Sequence, residues 1–404
     1  MMNRVARNTL GFTLAPIFVA AILMTAFTVQ AADVIKFGAA LPLTGPLATE
    51  GKKQQNGFEI WREIANSRGG INVGGKKMKV EMVYYDYESK SPTATKLAER
   101  LITKDKVDIL IGPFGSGATK AVAAIAERYK IPMIAPTASS EAVYDQGYKH
   151  LFGLLAPNGF LPSGFFDTVT KLNPKPTSMA FVTRNDFFPK AITNMMRKAS
   201  KKYGFTDVYY AEFPKDSKDM STWLTVVKSK NPDILMVGGY VGDLILATKQ
   251  AKELGVNPKI IFMMAGPVYQ QYADALGDTS NNIMSAAWWS ETFNYKGRVI
   301  GTAANFADIW MKKHNQVADY VGAASAASGV VAHLAIEKAG SIEASKVIAA
   351  ISSLKTDTFF GPVEFNKGGQ NIGSKIAIFQ IQQRQRKTIY PLDISDGKLV
   401  YPRP

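Results

Sequence analysis

The chain has 404 residues, 46% hydrophobic and 20% charged, a composition typical of a globular protein with two domain-sized cores. Cysteine is absent, which excludes disulfides, thiolate metal sites, cysteine nucleophiles and a lipid-modified cysteine anchor. The formal charge of +15 comes from lysines scattered along helical stretches rather than from one basic block, so solvated helix faces are favoured over nucleic-acid binding.

The N-terminus has the layout of a secretory signal peptide. Arg4 and Arg7 precede an apolar stretch over about 14–29, and small residues precede the expected cleavage point after Ala31. The competing interpretation is an uncleaved membrane anchor, since the apolar stretch approaches the length of a short span. A proline and threonines within it favour cleavage. Removal of residues 1–31, which hold two arginines and no acid, lowers the charge from +15 to +13.

From residue 34 onward, short β-rich runs alternate with longer amphipathic patterns. The first series predicts strands in VIKFGAALPL, KMKVEMVYYDY, VDILIGP and IPMIAP, with helices near 52–67, 92–104 and 117–129. The second series predicts strands in SMAFVTRN, DVYYAEF, DILMVGGY and KIIFMMAG, with helices near 189–203, 221–230 and 243–254. Strand and helix alternating at this length imply right-handed βαβ crossovers and parallel sheets covered on both faces.

After NIMSAAWW the pattern changes. It predicts helices at 297–313, 319–339 and 341–354, and then the β-rich pieces FFGPVEF, KIAIFQIQ and KTIYPL. The helical block has too few strands for a third domain, so we expect it to rejoin one lobe. The sequence therefore predicts an α/β fold of two doubly wound, parallel-sheet lobes, 32–154 plus 287–361 and 155–286 plus 362–404. The chain would cross between them near 153–157, 285–288 and 361–365, where we expect hinges.

The stretch GPFGSGATK at 112–120 lies between a predicted strand and a predicted helix. It is not a P-loop, because Ala118 and Thr119 stand where that motif needs lysine and serine or threonine. It is not a dinucleotide fingerprint, because Lys120 replaces the third glycine. It is not a nucleophile elbow either, because Phe114 stands where the G-x-S-x-G motif needs its first glycine. Nucleotide binding and serine hydrolysis are therefore disfavoured.

The same stretch still offers backbone N–H groups at a helix N-terminus, together with the hydroxyl of Ser116. Such groups suit a carboxylate or another small anion. The next strand ends in IAPTASSEAVY, which adds Thr137, Ser139 and Ser140 at the same predicted sheet edge. Ordinary glycine turns and a helix N-cap are the alternative interpretation. The three histidines lack metal-ligand spacing and no catalytic constellation is visible, so we predict no enzyme, no metal and no cofactor.

Several longer stretches, taken in order, resemble the leucine/isoleucine/valine-binding type of periplasmic solute-binding protein. They are ALPLTGPLATEGKKQQNGFEIWREIANSRGGI, VDILIGPFGSGATKA, IPMIAPTASSEAVYDQGYKHLF, DILMVGGYVGDLILATKQAKELG and FFGPVEFNKGGQ. The resemblance covers about residues 33–385. It implies a type I periplasmic binding fold with the ligand in the cleft between two lobes joined by three crossover strands. It also implies a periplasmic monomer that serves an ABC permease of the inner membrane, or a ligand sensor of the same fold.

The resemblance also implies a set of ligand-binding residues. These are Glu50, Gly115, Ser116, Gly117, Ala138, Ser139, Phe188, Tyr240 and Gly266. The loops around Ser116 and Ser139 would hold the ligand's carboxylate and amino group. Tyr240 matches a ligand-contacting tyrosine, and Phe188 stands where the family has a second one. Further candidates to line an apolar pocket are Met263, Met264, Tyr269, Trp288 and Trp289.

One departure from the family affects the choice of ligand. Amino-acid binders of this type pair the ligand's ammonium group with a carboxylate after the strand matching KIIFMMAG, but residues 257–272 contain no acid. Because an uncompensated ammonium in a closed cleft is costly, either Glu50 or Asp243 replaces that acid or the ligand has no ammonium. Aromatic or short aliphatic carboxylic acids, and amides, thus stand beside branched-chain amino acids.

Overall fold

The structure, a computed structural model, describes residues 1–2 and 34–404. The expected signal peptide, residues 1–31, lies outside the described residues except for its first two. No helix within 34–404 is both long and apolar enough to span a membrane.

The strands between residues 34 and 153 form the first sheet. They are β1 (Val34–Leu41), β2 (Ile71–Val73), β3 (Lys76–Asp86), β4 (Ile109–Ile111), β5 (Met133–Ala135) and β6 (Leu151–Gly153). Their order is β2–β3–β1–β4–β5–β6, parallel throughout except for the β2–β3 hairpin at one edge. On β1, Phe37 and Ala39 pack into one core and Ala40 into another, because successive side chains point to opposite faces.

The later strands form a second sheet and two small hairpins. They are β7 (Ser178–Arg184), β8 (Thr206–Phe213), β9 (Ile234–Gly238), β10 (Ile260–Met264), β11 (Ile283–Ala287), β12 (Lys296–Gly297), β13 (Gly301–Thr302), β14 (Lys355–Thr358), β15 (Gly361–Glu364), β16 (Ala377–Gln382) and β17 (Gln385–Tyr390). The second sheet has the order β17–β16–β11–β10–β9–β7–β8. Its central strands are parallel, and β16 and β17 are antiparallel to their neighbours.

Helices cover both sheets. They are α1 (Ala48–Ser67), α2 (Ser91–Thr103), α3 (Ser116–Tyr129), α4 (Leu161–Val169), α5 (Phe187–Lys202), α6 (Ser221–Lys230), α7 (Val241–Glu253), α8 (Gln270–Leu276), α9 (Ala303–His314), α10 (Tyr320–Ala339) and α11 (Ala344–Ser352). Helices α1, α2, α3 and α10 pack around the first sheet, and α4 to α7 pack around the second. The α/β architecture expected from the alternation is confirmed, with antiparallel strands at sheet edges.

Helix α10 is buried on almost all sides because small residues let its neighbours approach closely. A Cβ atom on Gly322 would lie 2.4 Å from the ring of Trp310, and one on Gly329 would lie 2.2 Å from Trp61. A Cβ atom on Gly57 of α1 would lie 2.2 Å from the carbonyl oxygen of Gly322. The close packing of α1, α9 and α10 therefore depends on glycine at these three positions.

The helix expected at 297–313 begins later, at Ala303. Residues 296–302 instead form the β12–β13 hairpin, which the periodicity did not predict. The helix starts where its backbone groups find partners: the Thr302 hydroxyl accepts from the backbone N–H of Asn305 at 3.0 Å, and the Asn305 side chain accepts from the backbone N–H of Thr302 at 2.9 Å. This capping box, rather than apolar spacing, sets the boundary.

Other short elements were also missed, namely β2, β14, α4 and α8. Each spans nine residues or fewer, so its periodicity carries little signal. The second sheet ends in an antiparallel β16–β17 hairpin because the turn between these strands has φ of 51° at Gln383 and 63° at Arg384. Two consecutive positive φ values are typical of the tight turns that join antiparallel strands.

The chain segments that pass between the two sheets lie side by side and are tied together by backbone groups. The backbone N–H of Gly153 donates to the oxygen of Gly369 at 2.7 Å, and that of Asn371 donates to the oxygen of Gly153 at 2.9 Å. The Asn371 amide donates to the oxygens of Leu154 at 3.0 Å and Pro362 at 3.2 Å. The expected lobe boundaries and hinges stay predictions.

The substitution Gly57→Ala tests the packing of α1 on α10. The added methyl group would collide with backbone that cannot rotate away, and overpacking of this kind costs about 1 to 3 kcal/mol. We expect urea denaturation to show a lower midpoint for this variant. Gly242→Ala, in α7 with no atom near the new methyl group, is the matched control and should raise stability by up to about 1 kcal/mol. An unchanged midpoint for Gly57→Ala would contradict the packing described.

Candidate functional site

The loop between β4 and α3 presents backbone to a cleft. Gly115 has φ of 82°, a conformation that glycine adopts without strain, and its N–H lies 3.3 Å from the hydroxyl oxygen of Thr137. A Cβ atom at Gly115 would lie 3.5 Å from the hydroxyl oxygen of Tyr240. The loop thus brings its peptide groups, and the start of α3, close to a tyrosine attached to the second sheet.

The loop after β5 is fixed to the first loop by a buried serine. The hydroxyl oxygen of Ser116 lies 3.3 Å from the backbone N–H groups of both Ser139 and Ser140, which donate to it. From the other side, the carbonyl oxygen of Ser139 accepts from the Gln370 amide at 2.9 Å and from the backbone N–H of Asn158 at 3.2 Å. The two polar loops predicted from the sequence therefore form one surface.

A largely aromatic wall lines the same cleft. The cleft is narrow, with a cavity volume of about 10 Å³, and is lined by Phe114, Gly115, Thr137, Ser139, Leu155, Phe188, Tyr240, Val241, Ala265, Tyr269, Trp288 and Tyr320. Six of these twelve residues are aromatic, and none of them carries a formal charge. The ring centroid of Trp288 lies 5.2 Å from that of Tyr320, and its N–H donates to the oxygen of Ala156 at 3.2 Å.

The structure brings some of the expected site residues together. Gly115, Ser139, Phe188 and Tyr240 line the cleft. The others, Glu50, Ser116, Gly117, Ala138 and Gly266, do not line it. Ser116 ties the loops together, and Gly266 follows the lining residue Ala265 and packs against Leu244. Whether these residues contact a ligand stays a prediction.

Of the further apolar candidates, Tyr269 and Trp288 line the cleft, whereas Met263, Met264 and Trp289 do not. The Trp289 N–H donates to the oxygen of Phe359 at 3.0 Å. The lining also includes residues that the sequence did not mark as candidates, namely Phe114, Leu155, Val241, Ala265 and Tyr320. Tyr320 directly follows the N-cap of α10, far along the chain from the loops. Ala265 has φ of 77°, strained for a residue with a side chain, and no pattern in the sequence marks it.

The acid Asp243, in the first turn of α7, already has partners within the protein. One carboxylate oxygen lies 2.9 Å from an Arg184 nitrogen, and the other accepts from the backbone N–H of Tyr240 at 2.9 Å. Burial raises the pKa of Asp243, although these hydrogen bonds and the guanidinium oppose that effect. Arg184 also lies over the Tyr240 ring, 5.4 Å from its centroid. Asp243 therefore fixes the start of α7 and orients Tyr240.

Glu50, in the first turn of α1, differs from Asp243 because one of its carboxyl oxygens has no partner among the described residues. Its exposed fraction is 1%, and the oxygen concerned is Oε2. Burial raises the pKa of Glu50 to about 7, with nearby Lys53 acting against this and Asp319 and Asp243 adding to it. Lys53 itself pairs with Asp319 at 2.5 Å. The Glu50 carboxyl is thus a buried acid that titrates near neutral pH.

Comparisons with known proteins agree on the fold. A family model described as periplasmic binding protein matches residues 34–387. A Leu/Ile/Val-binding protein homolog 8 from Brucella suis is 25% identical over 422 residues, covering 98% of this chain and 99% of the relative. Among solved structures, LivJ of Streptococcus pneumoniae in complex with isoleucine has a TM-score of 0.79 at 21% identity, covering 92% of this chain and all of that one.

A second solved structure has a different ligand. It is a solute-binding protein of an ABC transporter from R. palustris in complex with benzoate, with a TM-score of 0.78 at 18% identity, covering 88% of this chain and 95% of that one. At these identities the two structures show the shared fold. The isoleucine and benzoate are the ligands of those proteins.

Glu50→Gln should change how stability depends on pH. Because burial raises the folded pKa above the ordinary 4.5 to about 7, the folded state retains a proton in that interval which the unfolded chain has released. The free energy of unfolding therefore falls as pH rises through this window, by about 3 kcal/mol from this group. Denaturant titrations across the window should show that fall in the unchanged protein and a flatter profile in Glu50→Gln.

Glu253→Gln, at an exposed position of α7, is the control. Its free energy of unfolding should fall with pH as that of the unchanged protein does. Parallel pH profiles for the unchanged protein and Glu50→Gln would show that the Glu50 carboxyl is not buried as described.

Proposed function

Because the chain belongs to the periplasmic binding protein family, whose model matches residues 34–387, we propose that it is the solute-binding component of an ABC importer. It captures one small carboxylate-bearing solute between the two sheets and delivers it to a permease in the inner membrane. The observation that carries this proposal is the cleft, which is lined by Gly115, Thr137 and Ser139 of two strand-end loops together with six aromatic residues. No bond is made or broken in this function.

The first part of the ligand, a carboxylate, is assigned to the loops. Loops at the carboxyl ends of parallel strands, next to a helix N-terminus, present backbone N–H groups that stabilise an anion. The hydroxyl of Ser139 and the peptide groups at Gly115 lie at this surface. The lining holds no lysine or arginine, so neutral donors and the α3 dipole supply the stabilisation.

The second part of the ligand is a flat apolar body without an ammonium group. Aromatic residues make up half of the lining and favour stacking against a ring. Asp243 is neutralised by Arg184, and the described lining holds no acid to compensate an ammonium, which would be costly to bury. We therefore place aromatic carboxylic acids ahead of branched-chain amino acids, with short aliphatic acids and amides behind.

One observation favours the alternative, an amino-acid ligand. The unpartnered Oε2 of Glu50 can accept from an ammonium group, and an ammonium beside it would keep the carboxyl ionised. Under this alternative the ligand is an amino acid, as is usual in the family, and Glu50 of α1 supplies the carboxylate that compensates its ammonium group. A sensor of the same fold that signals to a receptor would use the same cleft.

The proposed importer component acts outside the cytoplasm. We propose that residues 1–31 direct export and are removed, and that the mature chain works in the periplasm as a soluble monomer without a lipid anchor. Ligand closes the two lobes, 32–154 plus 287–361 and 155–286 plus 362–404, about the three segments near 153–157, 285–288 and 361–365. Hinge closure of this kind buries the ligand and creates the surface that a permease reads.

A ligand screen tests the proposal. Residues 32–404, purified, are titrated by calorimetry with benzoate, a short aliphatic acid, an amide and leucine. We expect benzoate to bind most tightly and leucine weakly, because the amino acid must bury an uncompensated ammonium. Ser139→Ala should weaken benzoate by about 1 to 3 kcal/mol, since a charged acceptor loses its partner. Ser140→Ala, the buried neighbour outside the lining, is the control. Tight binding of leucine with none of benzoate would contradict the proposed ligand class.

A further inference from the structure

A cluster of polar side chains adjoins one part of the cleft and is separate from the carboxylate loops. Tyr269 and Tyr320 line the cleft, and their hydroxyl oxygens lie 3.4 Å apart. The Lys53 ammonium lies 4.0 Å from the centroid of the Tyr269 ring and 2.5 Å from a carboxylate oxygen of Asp319. These residues come from α1, from the start of α10 and from the loop before α8, so none of them belongs to the loops after β4 and β5.

Within this cluster, Asp319 has its partners. One of its oxygens accepts from the backbone N–H groups of Val321 at 2.9 Å and Gly322 at 3.4 Å, and the other pairs with Lys53. The Oε2 atom of Glu50 is buried and has no partner among the described residues. A buried acceptor that is left unpaired is unfavourable, and a ligand that donates to it recovers that loss.

Glu50 lies one helical turn before Lys53 on the same face of α1, and the Lys53 ammonium contacts the Tyr269 ring. Burial is the main cause that raises the pKa of Tyr269 and of Tyr320, and the charge of Glu50 adds to both. It also adds to the raised pKa of Tyr240, for which burial is again the main cause. Because Lys53 contacts the Tyr269 ring and pairs with Asp319, the residue before Tyr320, this turn of α1 lies beside the two tyrosines. Glu50 itself is not among the residues that line the cleft.

Resting on the proposed function, we propose that Glu50 and the Tyr269–Tyr320 pair form a second polar subsite, which selects aromatic acids that carry a hydroxyl group on the ring. In this arrangement the ligand's carboxylate lies on the strand-end loops and its ring lies between the aromatic side chains. The ring hydroxyl donates to Glu50, and the hydroxyl groups of the two tyrosines lie next to it. A site that hydrogen-bonds a ligand hydroxyl discriminates against the analogue without it, because its own polar group is then left unpaired.

Three ligands test the subsite by calorimetry on residues 32–404: benzoate, 4-hydroxybenzoate and 4-methoxybenzoate. We expect 4-hydroxybenzoate to bind about tenfold or more tightly than benzoate, the effect of one hydrogen bond to a carboxyl group. 4-Methoxybenzoate, which cannot donate, should lose this advantage. In Glu50→Met the preference for 4-hydroxybenzoate over benzoate should fall to about threefold or less, because the acceptor of the ring hydroxyl is removed.

Glu63→Met, on the exposed face of the same helix, is the control and should keep the preference. If Glu50→Met does not fold, Tyr320→Phe keeps the ring, removes one hydroxyl and should reduce the preference. Equal binding of benzoate and 4-hydroxybenzoate by the unchanged protein would overturn the subsite and leave the proposed function intact. Tight binding of leucine that depends on Glu50, with neither acid bound, would overturn both.

Discussion

The candidate site depends on one buried hydroxyl group. Ser116 stands at the start of α3, and its oxygen accepts from two backbone N–H groups of the loop after β5. Without this acceptor, two buried donors would lose their partner, at a cost comparable to breaking two hydrogen bonds. The interaction fixes the distance between the two strand ends, and so decides whether their donors can converge on one anion. Gln370, beside the segments that cross between the sheets, holds the same loop from the other side.

Charge compensation around the cleft narrows what can bind there. Asp243 is neutralised by Arg184, and Asp319 by Lys53. Both ion pairs contact aromatic rings of the cleft. Arg184 lies over the Tyr240 ring, and the Lys53 ammonium lies over the Tyr269 ring. Glu50 is the buried acid near the cleft with an unpartnered oxygen among the described residues. The identity of the ligand therefore depends on whether it brings an ammonium, a hydroxyl or no polar group to that acid.

The sequence predicted the parts of the fold that depend on local periodicity. Long amphipathic helices such as α2 and buried runs such as β9 were placed within a few residues, because burial on one or both faces leaves a repeating pattern. The two polar loops were predicted because strand ends of a parallel sheet share one edge. The start of α9 was misplaced because a capping box, not apolar spacing, sets it. The lining of the cleft was only partly predicted, since Tyr320 and Leu155 reach it through tertiary packing that no local pattern encodes.

A crystal structure of residues 32–404 with benzoate tests the central claim most directly, since that claim is the assignment of a carboxylate to the joined loops and of a ring to the aromatic wall. The account predicts that the carboxylate lies within hydrogen-bond distance of the Ser139 hydroxyl and of a backbone N–H in the loop at Gly115. The ring should lie between Phe188, Tyr240 and Trp288. A ligand bound away from the loops, or a carboxylate turned toward Glu50, would contradict the account.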